Sequence, residues 1–199
     1  ILLNHRSLLK IYMLFKVLKD DGLFRFIDLA IKRIINYEKR FIWIKKFDRE
    51  LEPSPHLDYK ELDEDALLNL QYNKSFGYVD KFWYVAYGAQ RCFGVYEGEN
   101  LIHLAWVYHS GCPRYDLKEG EVFSGPVISL KEFRRRGANR NRIIYVTNLL
   151  REEGYNKIYG STCLTNYPSM NSLSSLDWRI SHLQKRLFVF GKKIFTVKK

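Results

Sequence analysis

Apolar residues recur along the chain with two different periods, and the change of period divides it into two parts. In residues 8–18 and 23–47 the apolar positions lie three or four residues apart, which is the spacing of an amphipathic helix. Asp20-Asp21-Gly22 lies between these stretches and is typical of a helix end followed by a turn. The pattern therefore predicts two helices, or a helical hairpin, in an N-terminal extension over residues 1–52.

Glu52-Pro53-Ser54-Pro55 is predicted as the domain boundary, because proline stops a helix and favours an extended chain. We expect the extension to pack on the domain that follows or on a partner subunit, where it assists a homodimer. The alternative is a basic amphipathic helix that lies on an anionic membrane surface. The breadth of the apolar stripes favours packing.

Residues 56–199 are predicted to form one domain of the α/β class, of the α+β type. Short segments of alternating apolar residues, separated by turn residues, predict strands, and longer segments with a period near four predict helices. The predicted strands are 56–62, 92–97, 101–109, 121–130, 157–164, 181–190 and 192–197, and the predicted helices are 63–71, 141–153 and 166–176. This order predicts a mixed, mostly antiparallel central sheet flanked by helices, with a bulge near Gly125-Pro126.

The charge of the chain favours an anionic partner. The formal net charge is +11, which suits nucleic acid, a membrane surface or a phosphorylated ligand. The positive residues are spread along the sequence, so charge that is merely solvated stays an alternative. The three cysteines are an odd number without a CxxC pair, which indicates neither a disulfide framework nor a metal site and favours a reducing, cytoplasmic compartment. No apolar run approaches the length that spans a bilayer.

The candidate chemistry begins in residues 129–140, which join a predicted strand to a predicted helix. A glycine turn at this junction leaves backbone N–H groups unpaired at the positive end of the helix, and this is an anion site. Arginines surround the turn and pair well with phosphate oxygens. These are Arg134, Arg135, Arg136, Arg140 and Arg142. The segment therefore predicts a pyrophosphate site, with a solvated basic loop as the alternative.

This loop resembles the pyrophosphate loop of the GNAT superfamily of acyl-CoA-dependent N-acyltransferases, Arg/Gln-x-x-Gly-x-Gly/Ala. Here it is Arg134-Arg135-Arg136-Gly137-Ala138-Asn139, with Asn139 in place of the last small residue. A second block resembles the family's Asn-x-x-Ser/Ala followed by Leu and Leu-Gly-Phe. It is Asn166-Tyr167-Pro168-Ser169, then Leu173 and Leu176-Asp177-Trp178, at the family spacing. The resemblance covers about residues 56–199.

The resemblance implies a GNAT-like fold that binds acetyl-CoA or another acyl-CoA as co-substrate, transfers the acyl group to an amine (the EC 2.3.1 class) and uses no metal. The strand over 121–130 would diverge from the strand over 157–164 and leave a V-shaped gap for the pantetheine arm. The implied cofactor-binding residues are Ile128, Ser129 and Leu130 along the arm, Arg134, Arg135, Arg136, Gly137, Ala138, Asn139 and Arg140 at the pyrophosphate, and Asn166, Ser169 and Ser172 near the thioester.

Many family members use a Tyr to protonate the leaving thiolate, and Leu173 occupies that position here. Tyr167, Tyr159 or a water is the expected substitute, or the thiolate leaves unaided. Glu121 is the leading candidate for the general base, followed by Glu119 and His182.

Two hypotheses from other classes stay open. One is a GNAT-like scaffold without catalytic activity, suggested by Leu173 and Asn139. The other is a basic nucleic-acid-binding module, but the sequence contains no RNP-like, KH or zinc-finger pattern, so it favours the acyl-CoA enzyme. The acceptor and the length of the acyl chain stay undetermined at this stage.

Overall fold

The computed structural model describes residues 35–47, 51–63, 65–67, 89–112, 114–189 and 192–199, with positions 19, 22, 23 and 27. In this part of the chain eight strands form one sheet in the order β2-β3-β4-β5-β6-β1-β7-β8. The strands are β1 (Ile35–Lys46), β2 (Asp58–Glu61), β3 (Arg91–Glu97), β4 (Asn100–Tyr108), β5 (Glu121–Ser129), β6 (Lys157–Cys163), β7 (Arg179–Val189) and β8 (Lys192–Lys198). Two helices position the site, α1 (Ala138–Glu152) and α2 (Tyr167–Ser174).

β5 and β6 form the one parallel pair of this sheet, and they pair only briefly. Their pairing runs from Glu121 opposite Lys157 to Ser124 opposite Gly160 and then stops, although β5 continues to Ser129. At Gly125 the φ angle is 130°, and the register of β5 against β4 shifts there. This confirms the predicted bulge. A bulge bends its strand, and the end of β5 therefore diverges from β6 and leaves a gap in the sheet.

β1 holds β6 on the side away from this gap, and the helical interpretation of residues 35–46 is wrong. β1 pairs antiparallel with β6 along one edge and with β7 along the other. Ile42 and Trp43 point to opposite faces, and their exposed fractions are 0% and 3%. A strand that is buried on both faces carries a continuous apolar run, which does not show the alternation of a half-buried strand.

The rest of the predicted helical extension lies outside the described residues, apart from four positions. Lys19, Leu23 and Ile27 are helical, and Gly22 has a φ of 84°. The predicted boundary at Pro53 and Pro55 does not separate β1 from the domain, because β1 is internal to the sheet.

The segment after β1 lies along α1. Asn148 Nδ2 donates to the Leu51 carbonyl at 2.7 Å, and the Ser54 N–H donates to Asn141 Oδ1 at 3.0 Å. These bonds fix the chain that leads from β1 to β2 against the helix.

Apolar clusters lie on both faces of the sheet. On the helix face, α1 and α2 pack on the sheet through Ile143, Leu150 and Leu173, against Trp43 and Trp178. The opposite face carries Ile42, Tyr108, Phe123 and Tyr159, covered by Cys112, Tyr115 and Leu117 of the loop between β4 and β5. The gap between β5 and β6 therefore connects the two faces of the molecule.

The other predicted strands from residue 92 onward are confirmed within a few residues, as are the helices over 141–153 and 166–176. The strand predicted over 56–62 is shorter, Asp58–Glu61. Of the helix predicted over 63–71 only 65–67 is described as helical, with Asp63 Oδ1 accepting the Ala66 N–H at 2.8 Å. The α+β fold class is thus confirmed. Among the described residues no helix has the length and apolar character needed to cross a membrane.

Candidate active site

The loop between β5 and α1 places a left-handed glycine at the start of the helix. Gly137 is the N-cap of α1 with a φ of 81°, and Arg135 in the same loop has a φ of 66°. The first helical bond is donated by the Asn141 N–H to the Gly137 carbonyl at 3.0 Å. The N–H groups of the first helical turn before Asn141 have no partner within the helix, and they lie at its positive end. The predicted glycine turn is therefore present, with the donors that an anion needs.

The arginines of this loop differ in how much they are engaged. Arg136 pairs with Glu97 at 3.0 Å and lies over the Phe133 ring at 4.9 Å, while Arg134 Nε donates weakly to the Ser129 carbonyl at 3.4 Å. Arg135 and Arg140 are exposed and form no ion pair with any residue that the structure describes. These two side chains are the cations most available to a phosphate.

A groove over this loop continues into the gap between β5 and β6. A cavity of about 210 Å³ occupies the gap, and it shares Val127, Asn139, Asn166 and Ser169 with the groove. The groove is lined by the loop and by the first turn of α2, including Arg134, Arg135, Gly137, Ala138, Arg140, Pro168 and Ser172. The cavity is lined on the helix face by Arg142, Leu173 and Trp178 and on the opposite face by Arg40, Arg114 and Ser161. We call the two together the cleft; it passes through the sheet.

The edge of β5 offers backbone groups to the cleft, but not from all three residues that were predicted to bind the pantetheine arm. The Leu130 N–H donates to the Ile102 carbonyl of β4 at 3.0 Å, so it is not free for a ligand. Backbone groups of alternate residues point to opposite edges of a strand. Those of Ile128 therefore face β4, and those of Val127 and Ser129 face the gap. The prediction is corrected for Ile128 and Leu130, retained for Ser129, and extended to Val127.

α2 contributes a polar N-terminus and an apolar wall. Asn166 caps α2, its Oδ1 accepting the Ser169 N–H at 3.3 Å, and it lines both parts of the cleft. Leu173 is 8% exposed and lines the cavity, so an apolar side chain stands where the resemblance places a tyrosine. Tyr167 is 65% exposed and is absent from the described lining of the cleft, so the structure does not place it for a role as an acid.

By sequence, the chain matches no protein-family model and no curated protein. By structure, it is similar to a GCN5-related N-acetyltransferase from Sphaerobacter thermophilus, with a TM-score of 0.58 at 9% identity over 87% of this chain and 58% of that one. It is also similar to a GNAT-family protein from Novosphingobium aromaticivorans, with a TM-score of 0.53 at 17% identity over 75% of this chain and 63% of that one. The chain has the GNAT fold.

A third similar structure contains a GCN5-related glucosamine N-acetyltransferase region of a fungal multi-domain β-N-acetylglucosaminidase, with a TM-score of 0.58 at 14% identity over 83% of this chain and 23% of that one. The chain spans less than two thirds of the length of each of these three proteins. These similarities confirm the GNAT fold that the sequence resemblance predicts.

Within this GNAT fold, Glu121 lies at the far end of β5 from the divergence, and it is not among the described residues that line the cleft. Its carboxylate accepts from the Lys118 N–H at 3.1 Å, from Lys157 Nζ at 3.2 Å and from Tyr159 Oη at 3.1 Å. Burial alone would raise the pKa of Glu121, but these hydrogen bonds and the charge of Lys157 outweigh it, and the pKa lies below its ordinary value. The structure therefore does not place Glu121 to act as a base in the cleft.

The other candidates for acid and base also lie away from the described lining of the cleft. Tyr159 donates a hydrogen bond to Glu121. Burial is the largest cause that raises the pKa of Tyr159, followed by its contacts with Tyr115 and Glu121. The centroids of the His182 ring, on β7, and the Tyr115 ring are 6.2 Å apart. Burial, followed by the charge of Lys198, lowers the pKa of His182. Glu119 is exposed in the loop before β5.

Arg142 is the residue whose role the sequence prediction misplaced. It is 3% exposed and lies beneath the loop, with Nη1 donating to Ser124 Oγ at 2.8 Å and Nη2 to Asn139 Oδ1 at 2.7 Å. Asn139, which departs from the small residue of the family loop, is thus the partner of a buried cation. Arg40 and Arg114 were not predicted at all, because they join the cleft only through the pairing of β1 and the fold of the β4–β5 loop.

Proposed function

We propose that this chain is an acyl-CoA-dependent N-acyltransferase that transfers an acyl group, such as acetyl, from its CoA thioester to an amine. The observation that carries the proposal is the continuity of the cleft. It runs from the unpaired N–H groups at the start of α1, along the free edge of β5, to the far face of the sheet. An extended ligand with an anionic group at one end and a reactive group at the other fits this arrangement.

The residues of the cleft fit CoA in sequence along its length. The N–H groups after Gly137, with Arg135 and Arg140, would bind the pyrophosphate. The backbone groups of Val127 and Ser129 would pair with the pantetheine amides as an added strand would. Asn166 uses Oδ1 to cap α2, and its Nδ2 is left to donate to the arm.

In the reaction the acceptor nitrogen bonds to the thioester carbonyl carbon, the carbon–sulfur bond breaks, and the amine loses a proton. The chain contributes orientation, because the two strands hold the thioester at the point where they diverge. The described lining of the cleft contains no carboxylate and no imidazole. We therefore assign removal of the amine proton to water, and with Leu173 in the wall we assign no tyrosine acid to the leaving thiolate.

Calorimetry with CoA tests the proposed cofactor site. Replacing Gly137 by Val places a side chain at a φ of 81°, which is strained, and puts its Cβ 3.2 Å from Asn141 Nδ2, which must shift. Gly154→Val is the matched control, since Gly154 has a φ of 89° and nothing within 4 Å of an added Cβ. We expect CoA affinity to fall at least tenfold in Gly137→Val and to stay within about twofold of wild type in Gly154→Val. Unchanged affinity in a folded Gly137→Val protein would refute the assignment.

A GNAT-like binding scaffold without activity is the second candidate, and the lack of an acid or base in the described lining of the cleft favours it. The two functions differ in turnover. Release of free thiol from acetyl-CoA that depends on an added amine, across a panel of amino sugars, polyamines and amino acids, supports the transferase. Tight binding of acetyl-CoA with no amine-dependent thiol release supports the scaffold.

A further inference from the structure

Three arginines from three different elements line the part of the cleft where the strands diverge. Arg40 comes from β1, Arg114 from the loop between β4 and β5, and Arg142 from α1. No carboxylate lines this part of the cleft among the residues that the structure describes. The lining of the cavity therefore carries an excess of positive charge.

Arg142 is the most informative of the three because its charge is buried without an opposite charge. It is 3% exposed, it donates to the neutral groups of Ser124 and Asn139, and it forms no ion pair in the described part of the chain. Its Nε is buried and makes no hydrogen bond. A guanidinium has five N–H donors, and the Nε donor of this cation is left unsatisfied. Burial lowers the pKa of Arg142, which is the sign of a cation that lacks its counter-ion.

Arg40 and Arg114 are partly compensated by a single carboxylate that they share. Arg40 Nε lies 3.4 Å and Arg114 Nη2 lies 3.8 Å from the Glu38 carboxylate, which also accepts from Arg186 at 3.0 Å. Arg40 Nε is buried and makes no hydrogen bond. Burial, then the charge of Arg114, lowers the pKa of Arg40. Long contacts of this kind leave both arginines able to bind a further anion.

We propose that Arg40, Arg114 and Arg142 form a carboxylate-binding site in the cleft, and that one of the two reacting molecules carries that carboxylate. The planar, forked donors of arginine match a carboxylate in two parallel hydrogen bonds. The site is small, within a cavity of about 210 Å³, and the phosphates of CoA have their own donors at the start of α1. The carboxylate belongs either to the end of the acyl chain or to the acceptor amine. This second half of the proposal rests on the proposed function.

Two kinetic comparisons separate the sources of the carboxylate. In the acyl arm, kcat/KM is measured for succinyl-CoA and for butyryl-CoA, which has the same chain length and a methyl in place of the carboxylate. In the acceptor arm, it is measured for amino acids and for the amines that remain when their carboxylate is removed. We expect at least a tenfold preference for the carboxylated compound in one arm, as loss of a charged hydrogen bond gives. A preference below twofold in both arms would overturn the proposal.

Variants of the arginines test whether these side chains cause the preference for the carboxylated compound. Arg142→Met keeps the length of the side chain without its charge, and Arg40→Gln changes a side chain that is less deeply buried. We expect either variant to reduce the preference at least tenfold. Arg179→Gln is the control: it removes one positive charge from an exposed position of β7 outside the described lining of the cleft, and the preference should be unchanged. A preference that survives in both folded cleft variants would overturn the site.

Binding of succinate alone, measured by calorimetry against chloride at equal ionic strength, keeps the two proposals distinguishable. Succinate that binds wild type and Arg179→Gln, and not Arg40→Gln, supports the carboxylate site even in a protein that transfers no acyl group. Transfer of acetyl groups without succinate binding, and without a preference in either arm, refutes the carboxylate site and leaves the acyltransferase standing.

Discussion

At the scale of single residues, the cleft contains a buried cation that has no opposite charge beside it among the described residues. Glu121, a buried charge outside the described lining of the cleft, has three donors instead. In the cleft, Arg142 retains an unsatisfied Nε, and the exposed Asn166 uses its Oδ1 to cap α2. Because a buried charge without an opposite charge costs free energy, an anion bound beside Arg142 would stabilise it.

Glu121 provides a prediction that separates stability from catalysis. Its pKa in the folded protein is below its ordinary value of 4.5, so the ionised carboxylate stabilises the fold. That contribution is complete above the unfolded pKa and is lost as the pH falls through the folded pKa. We expect Glu121→Gln to lower the free energy of unfolding by about 1–2 kcal/mol at pH 7. In acid, where wild type is protonated too, the two proteins should converge.

Urea unfolding at pH 7 and at a series of lower pH values measures this difference. Glu119→Gln, at an exposed position two residues away, is the control and should change neither stability nor turnover. A large drop in kcat in Glu121→Gln, with stability unchanged, would restore Glu121 as the general base.

At the scale of elements, a strand or helix can be predicted from the sequence when the residues around it in the fold are also near it in the sequence. The strands from β3 to β8 and the turn at Gly137 were predictable, because half-buried strands alternate and glycine marks a left-handed turn. β1 was not predictable, because its Phe41-Ile42-Trp43-Ile44 run lies between two strands that come more than a hundred residues later. Arg40 belongs to the cleft only as part of β1. The proposed pyrophosphate end of the site is therefore local in sequence, whereas Arg40 and Arg114 of the proposed carboxylate site are not.

The position of β1 predicts that the domain does not fold without it. A chain that begins at Leu51 loses the strand between β6 and β7, exposing two strand edges and the pockets of Ile42 and Trp43. We expect it to lack a cooperative unfolding transition and to bind no CoA. Near-UV circular dichroism and urea unfolding measure this.

A pair of point variants checks the same position of β1 in the full chain. Ile42→Ala should cost about 2–5 kcal/mol, because Ile42 is fully buried, while Ile194→Ala on the edge strand β8, 58% exposed, should cost well under 1 kcal/mol. A truncated chain that folds and binds CoA would show that β1 is dispensable.

At the scale of the whole molecule, the two faces of the sheet carry different parts of the cleft. The helix face presents the pyrophosphate loop, the opposite face presents Arg40 and Arg114, and the cleft joins them where β5 leaves β6. In the proposed function, the reaction would take place inside the sheet, between two polar ends and beside the apolar Leu173 and Trp178. The proposal thus assigns to the protein positioning, rather than proton transfer by a side chain, as its main contribution.

That division predicts the pH dependence of the reaction. With water as the acceptor of the proton, only the neutral amine reacts, so kcat/KM should rise with pH until the acceptor amine is deprotonated. It should then stay level in alkali, because no tyrosine acid is lost. Two acceptors whose amine pKa values differ by about two units should give rising limbs displaced by the same amount. If the rising limb of kcat/KM lies at the same pH for both acceptors, and below the ordinary histidine pKa of 6.5, it points to His182 as the base. The pKa of His182 is lowered, which fits such a limb. Loss of that fixed limb in His182→Gln would complete the identification, whereas a displaced limb in both wild type and His182→Gln would establish that the amine itself sets the pH dependence.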